Sequence, residues 1–236
     1  MRKGFKIVLC MFCLFLITAC SNNENNEETT NNDSSQGEKK ENDEENNNTN
    51  IPFPGGEGNI LIVYFSFPET DGNDTSAGAS RVNEGGSVVG NTELFAKQIQ
   101  ERTDGDLLRI ETVQEYPGSH EPLVDQASDE KDNNLRPELS SKITNLDQYD
   151  TIFIGYPNWW GDMPMPLYTF LEEYSFSGKT IIPFSTHGGS GFSSTINTIS
   201  DMQSGANVNS NGLTISRNDI TDSKEEIDNW LSELGY

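Results

Sequence analysis

Apolar positions along this chain alternate between two rhythms. Asn59-Ile60-Leu61-Ile62-Val63-Tyr64-Phe65 and Thr151-Ile152-Phe153-Ile154-Gly155 are continuous β-branched and aromatic runs, the pattern of strands buried on both faces. Lys179-Thr180-Ile181-Ile182-Pro183-Phe184 is a third such run, Leu107–Thr112 alternates as a sheet edge would, and a weaker strand falls within Asn211–Ile215. Helical spacing fills the intervals. Thr92–Gln100 sets Leu94, Phe95 and Ile99 on one side, with Asn91 or Thr92 as N-cap. Helices are also predicted over Glu121–Lys131, over Pro166–Tyr174 with Leu167, Phe170 and Leu171 inward, and over Ser193–Met202. The last helix holds Ile227, Trp230, Leu231 and Leu234. Strands alternating with helices predict an α/β domain: a parallel sheet covered on both faces, five strands in the doubly wound order 2-1-3-4-5.

The N-terminal third breaks the pattern. A basic start, Met1-Arg2-Lys3-Gly4-Phe5-Lys6, precedes an apolar run from Ile7 to Ala19, too short to span a bilayer comfortably but fitting the core of a secretory signal. Its end, Ile17-Thr18-Ala19-Cys20-Ser21, resembles a bacterial lipobox, which implies cleavage before Cys20 and a lipid on its sulfur. From Ser21 to about Asn50 the chain is almost wholly Asn, Glu, Asp, Thr, Ser and Lys, a composition that cannot bury apolar surface. The expected organisation is therefore a leader over 1–19, a disordered acidic tether over 20–57 and a folded domain over 58–236, held outside the cell membrane by lipid.

The three cysteines all lie at or before Cys20, so the domain is read as free of disulfides and Cys-based metal sites; no metal is expected. A net charge of −23 disfavours nucleic acid and anionic membrane surfaces as partners.

In a sheet of this order, ligands sit beyond the carboxyl ends of the strands, where the first and third strands diverge. Three unusual loops leave there. The first runs from Ser66 and ends Gly90-Asn91-Thr92, where a helix N-terminus offers N–H groups to a phosphate or simply carries a cap. The second carries Tyr156, Trp159 and Trp160, which suit either a wall for a flat ring or a plug for the core rim. The third, His187-Gly188-Gly189-Ser190-Gly191-Phe192, is either a nest of backbone N–H groups or a plain turn. Together they describe a pocket for a flat phosphorylated ring.

At these positions the chain resembles the flavodoxin family, in particular a flavodoxin-like lipoprotein group. Val63-Tyr64-Phe65-Ser66 is similar to the strand entering the phosphate loop, and Gly90-Asn91-Thr92 to its end. Gly155-Tyr156-Pro157-Asn158-Trp159-Trp160-Gly161 and Thr186-His187-Gly188-Gly189-Ser190-Gly191-Phe192 resemble the two isoalloxazine-binding loops. The resemblance implies a flavodoxin-like three-layer sandwich binding FMN non-covalently. It implies a site of Ser66, Asn91, Thr92, Pro157, Asn158, Trp159, Trp160, Gly161, Thr186, His187, Gly188, Gly189, Gly191 and Phe192. The stretch from Phe67 to Val89 departs from compact flavodoxins, and Arg81 within it could face the phosphate or the ring.

The function expected is an FMN-binding electron-transfer flavoprotein with an unidentified, membrane-linked redox partner. A flavodoxin-like NAD(P)H:quinone oxidoreductase and a non-catalytic flavin-binding lipoprotein are the alternatives. His187 is a proton donor, a hydrogen-bonding partner or a structural loop residue. Acidic surroundings, Asp162 nearest in sequence, are expected to lower the flavin potential. A serine hydrolase is disfavoured because Gly188-Gly189-Ser190-Gly191-Phe192 lacks the last glycine of the G-x-S-x-G elbow.

Overall fold

The computed structural model describes residues 59–70 and 81–236; the leader, Cys20 and the tether lie outside them. Five parallel ladders build one sheet, most of it from the runs above. Strand β1 (Asn59–Tyr64) pairs with β4 (Asp106–Arg109) on one side and with β5 (Tyr149–Pro157) on the other. Strand β6 (Thr180–His187) pairs with β5, and beyond it lie β7 (Asn207–Val208) and β8 (Leu213–Ser216), each parallel to a different half of β6. The order β4-β1-β5-β6-β7 is the expected 2-1-3-4-5. The fifth position is divided in two, so the sheet has six strands rather than five.

Both sheet faces are buried, which is why the strands read as unbroken apolar runs. Leu61, Val63, Ile152, Ile154 and Ile181 point into one core with Leu123 of α2 (His120–Asp132), Leu167 and Phe170 of α3 (Met165–Glu173) and Ile199 of α4 (Thr195–Met202). Ile62, Phe153, Ile182 and Phe184 point the other way. They meet Leu94, Phe95 and Ile99 of α1 (Asn91–Thr103), and Ile227, Trp230 and Leu231 of α5 (Lys224–Glu233). Ile152, Phe153 and Ile154 are wholly inaccessible, and burying each such side chain contributes about 1.5–3 kcal/mol. The result is a three-layer sandwich whose central strand cannot tolerate a polar substitution.

Three expectations change here. The polar stretch after β1 contains an antiparallel hairpin, β2 (Arg81–Glu84) and β3 (Ser87–Gly90). Its turn is Gly85-Gly86, both at positive φ, the conformation a two-residue hairpin needs. The third strand runs on through Tyr156 and Pro157, because Tyr156 and Pro157 pair with Ser185 and Thr186. Helix α1 is capped by Gly90, not by Asn91 or Thr92, and its N-terminus has no side-chain cap.

Candidate functional site

The parallel ladders deliver three strand ends to one edge of the sheet, and hydrogen bonds tie the loops that follow. Thr92 Oγ1 lies 2.8 Å from Thr186 Oγ1, joining the start of α1 to the end of β6. The Asn158 N–H donates to the Thr186 carbonyl at 2.7 Å. The Asn158 amide donates to the Gly191 carbonyl at 2.8 Å and to Ser193 Oγ at 3.0 Å, while its oxygen accepts the Gly161 N–H. One asparagine thus fixes both sides of the cleft.

Ser66, Asn91 and Thr92 come together at the first loop and are almost fully buried. A Cβ on Gly90 would strike Ser66 Oγ at 1.9 Å, so the strand-to-helix junction closes on that hydroxyl only because residue 90 is glycine. The uncapped first turn of the thirteen-residue helix α1 adds backbone N–H groups and a partial positive charge. Arg81 donates to the Glu69 carbonyl at 3.4 Å, an anchor within its own loop.

The aromatic loop divides into three roles. Tyr156 is not part of the wall: it is fully buried, its hydroxyl lies 2.7 Å from Thr195 Oγ1, and burial pushes its pKa up. Trp159 is half-buried and meets Phe65 and Tyr116 edge-on, with centroids 5.4 and 5.9 Å away. Tyr116 is itself pinned by its hydroxyl to the buried Glu130 at 2.7 Å, and burial followed by that carboxylate raises its pKa. Trp160 is 54% exposed, at φ +54°, with its indole N–H donating to the Val124 carbonyl. The ring packing resembles a plug for Trp159, yet both indoles also line the cleft.

That cleft is a cavity of about 200 Å³ lined by Pro157, Asn158, Trp159, Trp160, Thr186, His187 and Gly188, together with Glu69, His120, Ala127 and Arg217. Pockets for whole ligands span about 300–1,000 Å³, so this one suits a single ring system. Gly189, Gly191 and Phe192 belong to the same loop but do not line the cavity. The Gly189 N–H donates to His187 Nδ1 at 2.8 Å, which leaves the ring proton on Nε2. Desolvation lowers the His187 pKa from 6.5, with Asp219 partly opposing, so the imidazole is neutral at neutral pH.

The charged and titratable lining residues Glu69, His120 and Arg217 were not anticipated. Buried Glu69 pairs with His120 at the start of α2. Glu69 sits in the first loop but outside its glycine-bearing end, while His120 and Arg217 come from segments with no strand–loop signature, and only the packing of α2 and β8 against the cleft reveals them. Conversely, Asp162 does not line the cavity. Its carboxylate accepts the Tyr168 hydroxyl at 2.9 Å and the Met163 N–H at 2.8 Å, and Tyr168 is pushed up to about 12 by burial and by that carboxylate. Among the described residues no cluster of three or more His, Cys, Asp or Glu could hold a metal ion.

Fold and cleft define a doubly wound α/β protein with a ring-sized cavity at its topological switch point. A profile of the flavodoxin family matches residues 85–234, and the chain belongs to that family. Among solved structures it is similar to a Bacteroides eggerthii protein assigned as a flavoprotein, 26% identical over 75% of this chain and 98% of that one, with a TM-score of 0.56. A Bacteroides uniformis protein with the same assignment is 28% identical over 74% and 98%, with a TM-score of 0.55. A Lactobacillus acidophilus flavoprotein solved in complex with FMN is 20% identical over 71% and 99%, with a TM-score of 0.48. A search of curated protein sequences returns no match.

Proposed function

We propose that this chain is an electron-transfer flavoprotein that binds FMN and is held to the outer face of the cell membrane through lipid on Cys20. FMN is the cofactor that goes with membership of the flavodoxin family. The residues fit it on their own terms. An uncapped helix N-terminus beside a buried hydroxyl cluster suits a terminal phosphate. A cavity between two indoles and a glycine-rich strand exit suits a planar ring.

The observation that carries this reading is the cavity between the β5 and β6 exits, lined also by Glu69 of the first loop, with Thr92 tying the start of α1 to Thr186 on its wall and Asn158 bridging the other two loops. Ser66, Asn91, Thr92 and the first N–H groups of α1 would hold the phosphate. Trp159 and Trp160 would flank the ring, and the backbone of Gly188, which lines the cavity, would meet its polar edge. Bound FMN supplies the redox chemistry; the protein orients it and keeps water from its inner face. His187, a lining residue whose Nδ1 is taken by Gly189, would offer its Nε2–H as a neutral donor.

Support for the extracytoplasmic placement is the lipobox-like Ile17-Thr18-Ala19-Cys20-Ser21 and the polar tether that follows it. A protein so placed has no supply of pyridine nucleotide, which favours a membrane-linked donor over NAD(P)H. Purifying the mature chain tests the core of the proposal: it should be yellow and release FMN on denaturation, and a colourless protein that ignores added FMN would sink it. Rapid bleaching by NADPH would replace the carrier reading by a reductase. Release of a Cys20→Ser chain from the membrane fraction is the expected result for the anchor; unchanged fractionation would remove it.

A further inference from the structure

Arg217 stands apart from every other cation in the domain. Among the described residues, each remaining lysine and arginine reaches a carboxylate, a carbonyl or a hydroxyl: Arg81 and Glu69, Lys97 and Glu93, Arg102 and Tyr236, Arg109 and Ser66, Lys131 and Trp160, Arg136 and Glu172, Lys142 and Glu173, Lys179 and Tyr149, Lys224 and Asp228. Arg217 has no such partner, and its Nε is buried without a hydrogen bond. A buried donor left without an acceptor is disfavoured, so the unmatched Arg217 Nε at a cavity wall signals a missing acceptor.

Its position is built, not incidental. The Arg217 N–H donates to the His187 carbonyl at 2.8 Å, extending the β6–β8 ladder by one bond. The guanidinium lies against Gly188, where a Cβ would sit 3.0 Å from Nη1 and 3.1 Å from Cζ. A side chain at 188 would crowd the guanidinium, which would have to shift by a few tenths of an ångström. Asp219, near enough to influence His187, forms no ion pair with it, and His187 itself is neutral. Glu69 is occupied by His120 on the same cavity wall.

We infer that Arg217 faces the pyrimidine edge of the bound flavin, donating to its N–C=O group and stabilising the reduced ring, whose negative charge concentrates there. This rests on the FMN-binding reading above. The surroundings that matter are therefore cationic at the ring edge despite the acidity of the chain, and the bound flavin has a higher potential than that acidity alone would set.

The test uses the full mature chain loaded with FMN. Arg217→Gln should weaken the binding of reduced FMN about tenfold more than that of oxidised FMN, lowering the two-electron potential by about 30 mV. Arg217→Lys, which keeps the charge, should lose only part of this. An Arg217→Gln protein whose spectroelectrochemical potential matches the parent overturns the inference, as does a lysine variant that falls equally far. Should the glutamine variant not fold, the parent decides: the Arg217 Nε–H resonance should shift when FMN is added, and an unmoved resonance overturns the assignment. A parent that takes up no FMN defeats the functional reading itself, which is a different result from a yellow protein indifferent to Arg217.

Discussion

After β5 the chain turns through Trp159, Trp160 and Gly161; after β6 it turns through Gly188, Gly189 and Ser190. The first turn takes its shape from side chains: Trp159 against Phe65 and Tyr116, Trp160 bound to Val124, Asp162 bound to Tyr168. The second has almost no side chain to pack, its residues 188–190 are exposed, and it is held by the Gly189-to-His187 bond and by Asn158 reaching across. A packed loop is pre-formed and rigid at the cost of a fixed shape. A glycine loop exposes its N–H groups to a ligand but relies on neighbours for its position. The cleft uses one of each.

Four experiments test the contrast between the two turns. Trp159→Ala should have the largest effect, costing about 3 kcal/mol in urea unfolding as the Phe65–Tyr116 cluster loses its third ring; a variant as stable as the parent would show that Trp159 is only a wall. Asn158→Ala removes two donated bonds and one accepted bond. We expect about 1–2 kcal/mol of stability loss and a larger proportional loss of FMN affinity, because the glycine loop loses its tie; equal fluorescence-quenching curves for variant and parent would argue against it.

The third experiment is acidification, which should act on the glycine loop alone. The folded His187 pKa lies below 6.5 because of desolvation. The neutral ring's contribution is therefore complete above 6.5 and drains away as the pH falls toward the lower folded value, since the unfolded chain binds the proton more readily. Protonation also converts Nδ1 from acceptor to donor and breaks the Gly189 bond. Amide exchange at Gly189, corrected for intrinsic rate, should accelerate over that window while Gly161 stays unchanged, and parallel behaviour of the two would refute the link. Asp162→Asn should have the smallest effect of the four: a loss of about 1 kcal/mol from the Tyr168 bond and no change in flavin potential. A raised potential would restore the carboxylate to the role its sequence position suggested.

The sheet was legible because doubly buried strands leave an unmistakable trace: Ile152, Phe153 and Ile154 read as a continuous apolar run for the same reason that all three are wholly inaccessible. The three loops were legible as neighbours once the strand order was deduced. Less legible were the ends of elements. Tyr156 looked like loop because it follows a glycine, but pairing with Ser185 keeps it in the strand and buries it. The β2–β3 hairpin had a signal, Gly85-Gly86 between short β-prone segments, masked by the polar residues around it.

The amino-acid sequence alone was enough for the alternation of elements, the order of the strands and the two strand exits that flank the cleft, since all three follow from local periodicity and one topological rule. Packing settled which residues line the cavity and which carry charge there. Asp162, three residues from Trp159, turns to Tyr168, whereas Arg217, some thirty residues from His187, lies against Gly188. Side-chain direction at a strand exit depends on partners brought from elsewhere in the chain. A charge without such a partner becomes visible only when the packing around it is complete.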